Sequence, residues 1–327
     1  MALRFIRVRI PRLVRPAREG GLARPAFARG LAARFACEYP AAYSPMIRPT
    51  RSELALLSRV ERIGYRLGDF GARRLHRASR LWNSTVLVAI TALLVRRRIQ
   101  VVGLEHVHAL DPERSVLLLA NHRSFFDFFA IQCALFAHGR LPRRLLFPVR
   151  ANFFYDHPLG VVINLALSGM TMFPPILRDP RKRAFNRYSL RRCAAELELR
   201  RVVIGLHPEG ARGRGDDPTE LRPGKLGTGE LLLAAPRAQI VPVFVSGLSN
   251  DVLLELRRNW RAAAEHPIRI GFGPAVDLRD LHARAEERGA QRAAVNRCME
   301  AVAEVARRVT GTLDSSRATP ASSERGR

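Results

Sequence analysis

The chain has 327 residues, 47% of them hydrophobic and 26% charged, which excludes collagen-like, globally disordered and disulfide-scaffold proteins. Its 55 Lys+Arg against 29 Asp+Glu give a formal charge of +26, a surface suited to phosphate on nucleic acid, anionic lipid or a small substrate. Cys37, Cys133, Cys193 and Cys298 are scattered with no CxxC pair, so they read as buried thiols in a reducing compartment.

Residues 1–45 carry nine arginines and two acids, Glu19 and Glu38, and are broken by Pro11, Pro16, Pro25 and Pro40. They read as a basic disordered tail, with an organelle transit peptide or a true start at Met46 as alternatives. Residues 46–98 read as a membrane-associating segment. Within it, 52–80 predict a basic amphipathic helix with one apolar stripe, Leu56, Val60, Ile63, Leu67 and Phe70, weakened by Gly64, Gly68 and Gly71. That stripe faces either the domain or a lipid interface. Residues 81–95, LWNSTVLVAITALLV, are the most apolar stretch, flanked by Arg80 and by Arg96, Arg97 and Arg98. Fifteen helical residues span roughly 22 Å, short of a hydrocarbon core of about 30 Å. A shallow helical hairpin in one leaflet fits this length better than a crossing, and a buried core helix is the other reading.

Residues 99–313 alternate short apolar runs with helical stretches. IQVVGLE (99–105), SVLLLA (115–120), VVIGL (202–206), IVPVFV (240–245) and PIRIGF (267–272) predict strands. Helices are expected over 126–138, 182–199, 227–235 and 279–309. The fold class is α/β, a mixed sheet covered by helices, with an N-terminal amphipathic and apolar helical hairpin. Pro242 predicts an edge position, or a late start, for its strand. Residues 314–327 read as a disordered tail.

Two turns carry the chemistry. In VLLLANHRSFFD, an apolar strand ends at Ala120 and His122 lies five positions before Asp127. Five positions along one helix rotate two side chains about 140° apart, so they would miss each other. With His122 in the turn and Asp127 in the first helical turn, the carboxylate can hold the imidazole as a general base. Nine histidines and eleven aspartates produce this spacing by chance roughly 0.3 times, so the position at a strand's carboxyl end matters more than the spacing. A helix-capping pair is the alternative. In LHPEGARG (206–213), Pro208 and Gly210 shape a turn whose amides, with Arg212 and Arg214, suit an anion. Glu209 fits a hydroxyl or an arginine better than a phosphate. A polar turn with a surface ion pair is the blander reading.

NHRSFFD and HPEGAR, about eighty residues apart and each following a strand, resemble the glycerolipid acyltransferase family, whose best-known members are lysophosphatidic acid acyltransferases. MTMFPPILRD (170–179) sits where that family has an apolar strand ending in a phosphate-binding arginine, and LRPGKLGTGELLLA (221–234) and IVPVFVSG (240–247) resemble further blocks of it. The resemblance spans about 99–275. It implies His122 and Asp127 as the catalytic pair. It also implies an acceptor-phosphate site from Arg178, Pro208, Glu209, Gly210, Arg212 and Lys225. The chain departs from the pattern at His207, in place of an aromatic, and at Ala211, in place of a hydroxyl residue. Pro174 and Pro175 also depart from it, which leaves Arg181 and Arg183 as alternatives to Arg178. His207 would either contact the acceptor or pack where the aromatic does.

The implied reaction moves a fatty acyl group from acyl-CoA or acyl carrier protein to a lysophospholipid hydroxyl, by default that of 1-acyl-glycerol-3-phosphate. The donor is a substrate, and neither a cofactor nor a metal is expected. The implied partners are an anionic phospholipid surface, the acyl donor and the lysophospholipid, at the cytoplasmic face of a membrane. Glycerol-3-phosphate or an amino-acid-derived lyso-lipid remain as acceptors, and a catalytically silent lipid-surface protein is the other class. Nucleic acid is not expected: no helix-turn-helix, zinc or RNA-binding signature accompanies the charge.

Overall fold

All five predicted strands enter one six-stranded sheet in the computed structural model, which describes residues 47–138, 144–150, 154–169, 171–213, 215 and 217–317. The expected basic tail of residues 1–45 and Arg214 lie outside the described residues. In chain order come α1 (Arg51–Ala55), α2 (Arg59–Arg74), α3 (His76–Trp82), a π turn (Asn83–Leu87), α4 (Val88–Val95), β1 (Ile99–Val102), α5 (Leu104–His108) and β2 (Val116–Ala120). Next are α6 (Asp127–His138), β3 (Arg144–Leu146), β4 (Val149–Arg150), α7 (Pro158–Ser168), β5 (Pro175–Ile176), α8 (Arg183–Leu197) and β6 (Val202–Leu206). The chain continues through α9 (Leu226–Leu233), β7 (Gln239–Ser246), α10 (Val252–Arg261), β8 (Ile268–Phe272), α11 (Arg279–His282) and α12 (Ala290–Arg317).

The strand order is β1-β8-β7-β2-β6-β3, parallel except for the β7–β8 pair. Alternation along each strand feeds two cores. Leu117, Leu119, Ile204 and Leu206 face one layer with Tyr188, Leu197 and Leu231. Leu118, Ala120 and Val203 face the other with Ala130, Ile131 and Leu135. Cys133, Cys193 and Cys298 are buried and unbridged. β1 stops at Val102 because Gly103 turns the chain at φ 80, where a Cβ would lie 1.9 Å from the Phe272 carbonyl oxygen.

Three sequence expectations need correction here. β7 is an interior strand, between β8 and β2, despite Pro242. The missing N–H falls where β8 has already ended: the Pro242 carbonyl accepts from Gly273, and the chain rejoins β7 only at Val276. The stretch 170–179 is not a strand of the main sheet. It contributes only β5, paired with β4, because adjacent Pro174 and Pro175 have no N–H to donate to a ladder. The last helix runs on through Arg317, past the tail expected from Asp314, since no proline stops it before Pro320; residues 318–327 lie outside the described residues.

The N-terminal helices are part of this packing. The buried residues of α2 are Glu61, Gly64, Tyr65, Gly68, Gly71 and Ala72, so the glycines are its contact face. A Cβ at Gly68 would come within 2.8 Å of the buried Phe173 ring. Tyr65 and Tyr188 share a hydrogen bond of 2.7 Å, and Lys182 pairs with Glu61 at 2.7 Å. Buried Arg192 binds Asp69 of α2 at 3.0 Å and Glu196 at 2.9 Å, and Arg144 of β3 binds Glu196 at 2.6 Å. The apolar stripe therefore points outward: Ile63, Leu67 and Phe70 are exposed.

Only Leu75 separates α2 from α3. From there His76–Val95 forms a 20-residue helix, about 30 Å long, rather than the fifteen residues expected. By length and composition it is the one helix among the described residues able to cross a membrane. It docks on the domain through Asn83, Leu87, Thr91 and Val95, and Asn83 donates to the Ser168 carbonyl and accepts from Gln132. Leu81, Trp82, Ile90 and Leu93 stay exposed. Both helices pack on the α/β domain through their buried residues.

Candidate active site

β2 and β6 are adjacent and parallel, with Leu119 paired to Leu206. Their carboxyl ends are therefore side by side, and the two motif turns leave the sheet at one place. His122 is in the loop after β2 and Asp127 is the first residue of α6. The His122 Nδ1 lies 3.1 Å from Asp127 Oδ2, the pairing that the turn geometry predicts. The same oxygen accepts from the amides of Arg123 at 2.7 Å and Ser124 at 2.9 Å, so Asp127 caps its own helix and holds the imidazole together. The two readings of the motif are one structure.

Burial raises Asp127 to about 6, against the lowering pull of His207 and the amides. Burial, then the Arg212 cation, lowers His122 to about 4. At neutral pH the pair is an ionised carboxylate beside a neutral imidazole. The carboxylate accepts a hydrogen bond from Nδ1–H, which leaves the lone pair on Nε2.

The second turn is fastened to the first. Glu209, 2% exposed, accepts from the His122 amide at 3.2 Å and from the Arg222 amide at 3.4 Å. Burial raises it to about 7. Both oxygens thus bind backbone, so Glu209 joins the turns instead of reaching an acceptor. The Gly213 amide donates to the His122 carbonyl at 2.8 Å. Pro208 is buried, and its carbonyl accepts from Lys225 at 2.9 Å, which seats the start of α9 against this turn. Gly210 turns at φ 63, and the Lys225 side chain passes 3.3 Å from where its Cβ would be.

Arg212 is exposed and donates to Asn250 Oδ1 at 2.8 Å. The same oxygen accepts from the Phe125 amide at 2.8 Å. The structure thus gathers His122, Asp127, Pro208, Glu209, Gly210, Arg212 and Lys225. Arg178 is exposed just beyond β5. Arg181 is held by Asp179 at 3.0 Å.

Sequence reasoning missed Asn121, Asn250 and Arg222. Asn121 bonds both backbone groups of Val245 in β7, at 2.9 and 2.7 Å, and so fixes the loop bearing His122. Its place directly before His122 was the available signal; Asn250 and Arg222 have none in one sequence. Next to His122 lies an aromatic wall, with Phe125 stacked on Phe154 at 5.6 Å and an apolar cluster of Leu87, Phe129 and Met172 beneath. The long N-terminal helix therefore reaches the loop bearing His122.

His207 stacks on His122, with ring centroids 3.9 Å apart and 13° between planes. His122, Asp127 and His207 bring possible ligand atoms within 4.8 Å of one another. Two of the ring nitrogens are already engaged, His122 Nδ1 with Asp127 Oδ2 and His207 Nδ1 with the Ala120 carbonyl.

Residues 98–246 match the family model described as Acyltransferase. Among solved structures the chain is similar to the 1-acyl-sn-glycerophosphate (LPA) acyltransferase PlsC from Thermotoga maritima. That match has 15% identity and a TM-score of 0.40, and covers 82% of this chain and 97% of the other. No curated protein matches.

Proposed function

We propose that the protein is an O-acyltransferase of phospholipid biosynthesis. It would move a fatty acyl group from acyl-CoA or acyl carrier protein to the hydroxyl of a lysophospholipid, by default 1-acyl-glycerol-3-phosphate. The observation that carries this reading is the His122–Asp127 pair beside a turn bearing Arg212, with Lys225 at the start of α9 seated against that turn.

His122 Nε2 takes the proton from the acceptor hydroxyl as that oxygen attacks the thioester carbonyl. Asp127 orients the ring and stabilises the imidazolium. The tetrahedral oxyanion collapses, the C–S bond breaks, and the imidazolium returns its proton to the leaving thiolate. The products are an ester and a free thiol, with no acyl-enzyme. Arg212 is placed to leave Asn250 for the acceptor phosphate, its planar fork suited to two oxygens, with Lys225 as a second cation.

Membrane association at the cytoplasmic face belongs to the same proposal. Its support is the exposed stripe of α2, the exposed side of His76–Val95, and the contact of that helix with the aromatic wall beside His122. Arginines near both ends of the helix suit anionic head groups. The test is a panel of lyso-lipids with one labelled acyl donor, read by product mass. A diacyl phosphate product supports the default acceptor. Donor consumption with none of the panel contradicts the enzymatic reading and leaves a silent lipid-surface protein.

A further inference from the structure

His207 stands where the family pattern has an aromatic, and its surroundings are specific. Its Nδ1 lies 3.0 Å from the Ala120 carbonyl oxygen, the last residue of β2. A carbonyl only accepts, so Nδ1 carries the ring proton and the ring is pinned to the strand end. One ring face covers His122. On its other neighbour, Phe128, the centroid distance is 4.3 Å, and Phe128 lies 4.9 Å from Phe147. The column Phe147–Phe128–His207–His122 runs from the core to the reactive imidazole. Gly205 makes room for it, since a Cβ there would be 2.4 Å from the Phe128 ring.

We propose that His207 is a positioning residue for the general base: anchored to Ala120, it holds the plane of the His122 ring and shields one face of it from water. The proposal rests on His122 being that base. Stacking suits the task because the catalytic ring must keep Nδ1 on Asp127 while Nε2 faces the acceptor, and rotation about its side-chain bonds would lose both. A neutral ring above His122 also tolerates the imidazolium that forms during the reaction. Burial, then the like charge of His122, lowers His207 to about 3, so it stays neutral when His122 gains a proton. The other charged groups around the pair are Asp127 from the start of α6, Arg123 from the loop before it, which acts on Asp127, and Glu209 and Arg212 from the second turn.

The experiment compares His207→Phe, His207→Asn and His207→Ala by kcat, KM and the pH dependence of kcat. Phe keeps the stacked ring, Asn keeps a donor for the Ala120 carbonyl without the ring, and Ala keeps neither. The expected result is that Ala and Asn lower kcat about tenfold or more at unchanged KM, while Phe stays near wild type. Hydrating the exposed face of His122 also moves the acid limb up by about one pH unit in Ala and Asn, and not in Phe. Thermal melting confirms that each variant is folded. Wild-type kcat and acid limb in Ala, or equal losses in Phe and Ala, overturn the proposal. So does a loss confined to KM, which would make His207 a substrate contact. His122→Ala in parallel separates the two claims: if it keeps activity the base assignment fails, whereas an inactive His122→Ala with a normal His207→Ala removes only the stack's role.

Discussion

The His122 amide donates to the Glu209 carboxylate at 3.2 Å, so one buried acid ties the loop bearing His122 to the turn that follows β6. The two turns are 87 positions apart in the chain, and adjacent parallel strands alone would leave their relative height free. Glu209 sets it.

Glu209→Gln keeps one acceptor oxygen and puts a donor against a backbone amide. The expected cost is about 1–3 kcal/mol of stability together with a fall in kcat. Burial raises this acid from its ordinary 4.5 to about 7, so the native state holds a proton that the unfolded chain releases between those values. Its stabilising contribution is full below about 4.5 and is lost as pH rises through about 7. Urea unfolding at several pH values should show the advantage of wild type over Glu209→Gln shrinking across that window.

Asp127→Asn should leave the fold near wild type, because the amide oxygen still caps α6, and lower kcat about 10²–10⁴-fold through a wrongly held imidazole. In the wild type the free base needs His122 neutral and Asp127 ionised. Those conditions hold above about 4 and about 6 respectively. The pH profile of kcat/KM should be flat near neutrality and fall as pH drops from about 6 toward 4. A limb centred above 7 would contradict the assignment.

Arg212→Ala should raise KM for a phosphate-bearing acceptor about tenfold and leave a phosphate-free acceptor unaffected. Arg212→Lys should be intermediate, since it keeps the charge and loses the fork. Arg178→Ala should have the smaller effect, because Arg178 is exposed beyond β5 whereas Arg212 is in the turn bonded to the His122 carbonyl. Initial rates with paired acceptors read all three.

Gly68→Ala gains up to about 1 kcal/mol in helix propensity and drives a Cβ to 2.8 Å from a buried ring. Overpacking at that distance costs about 1–3 kcal/mol, so the net effect should be a lower melting temperature. The exposed stripe should behave oppositely. Ile63→Ser, Leu67→Ser and Phe70→Ser together should leave melting unchanged and release the protein from anionic phospholipid vesicles in a flotation assay.

The His122–Asp127 contact was legible because both parts of its geometry are local: a strand end, a turn and a helix start place the two residues within one short segment. The second turn was legible by its own residues, and the strand pairing of Leu119 with Leu206 explains why it arrives beside the first. Other features needed the fold. Glu209 reads as a substrate contact until the amides of His122 and Arg222 are seen to occupy it. Pro242 reads as an edge marker until the gap after Phe272 is known. The glycines of α2 read as helix breakers, and only Phe173 and Tyr155 on the facing surface show that they are its packing face. In each case the deciding atom lies far away in sequence.

The central claim is that the Nε2 of His122 removes the proton from the acceptor hydroxyl. Its most direct test is product formation by His122→Ala from a labelled acyl thioester and a lysophospholipid, read by mass. The rate should fall by about 10³ or more while the melting temperature stays at the wild-type value. Wild-type product formation by the folded variant would contradict it.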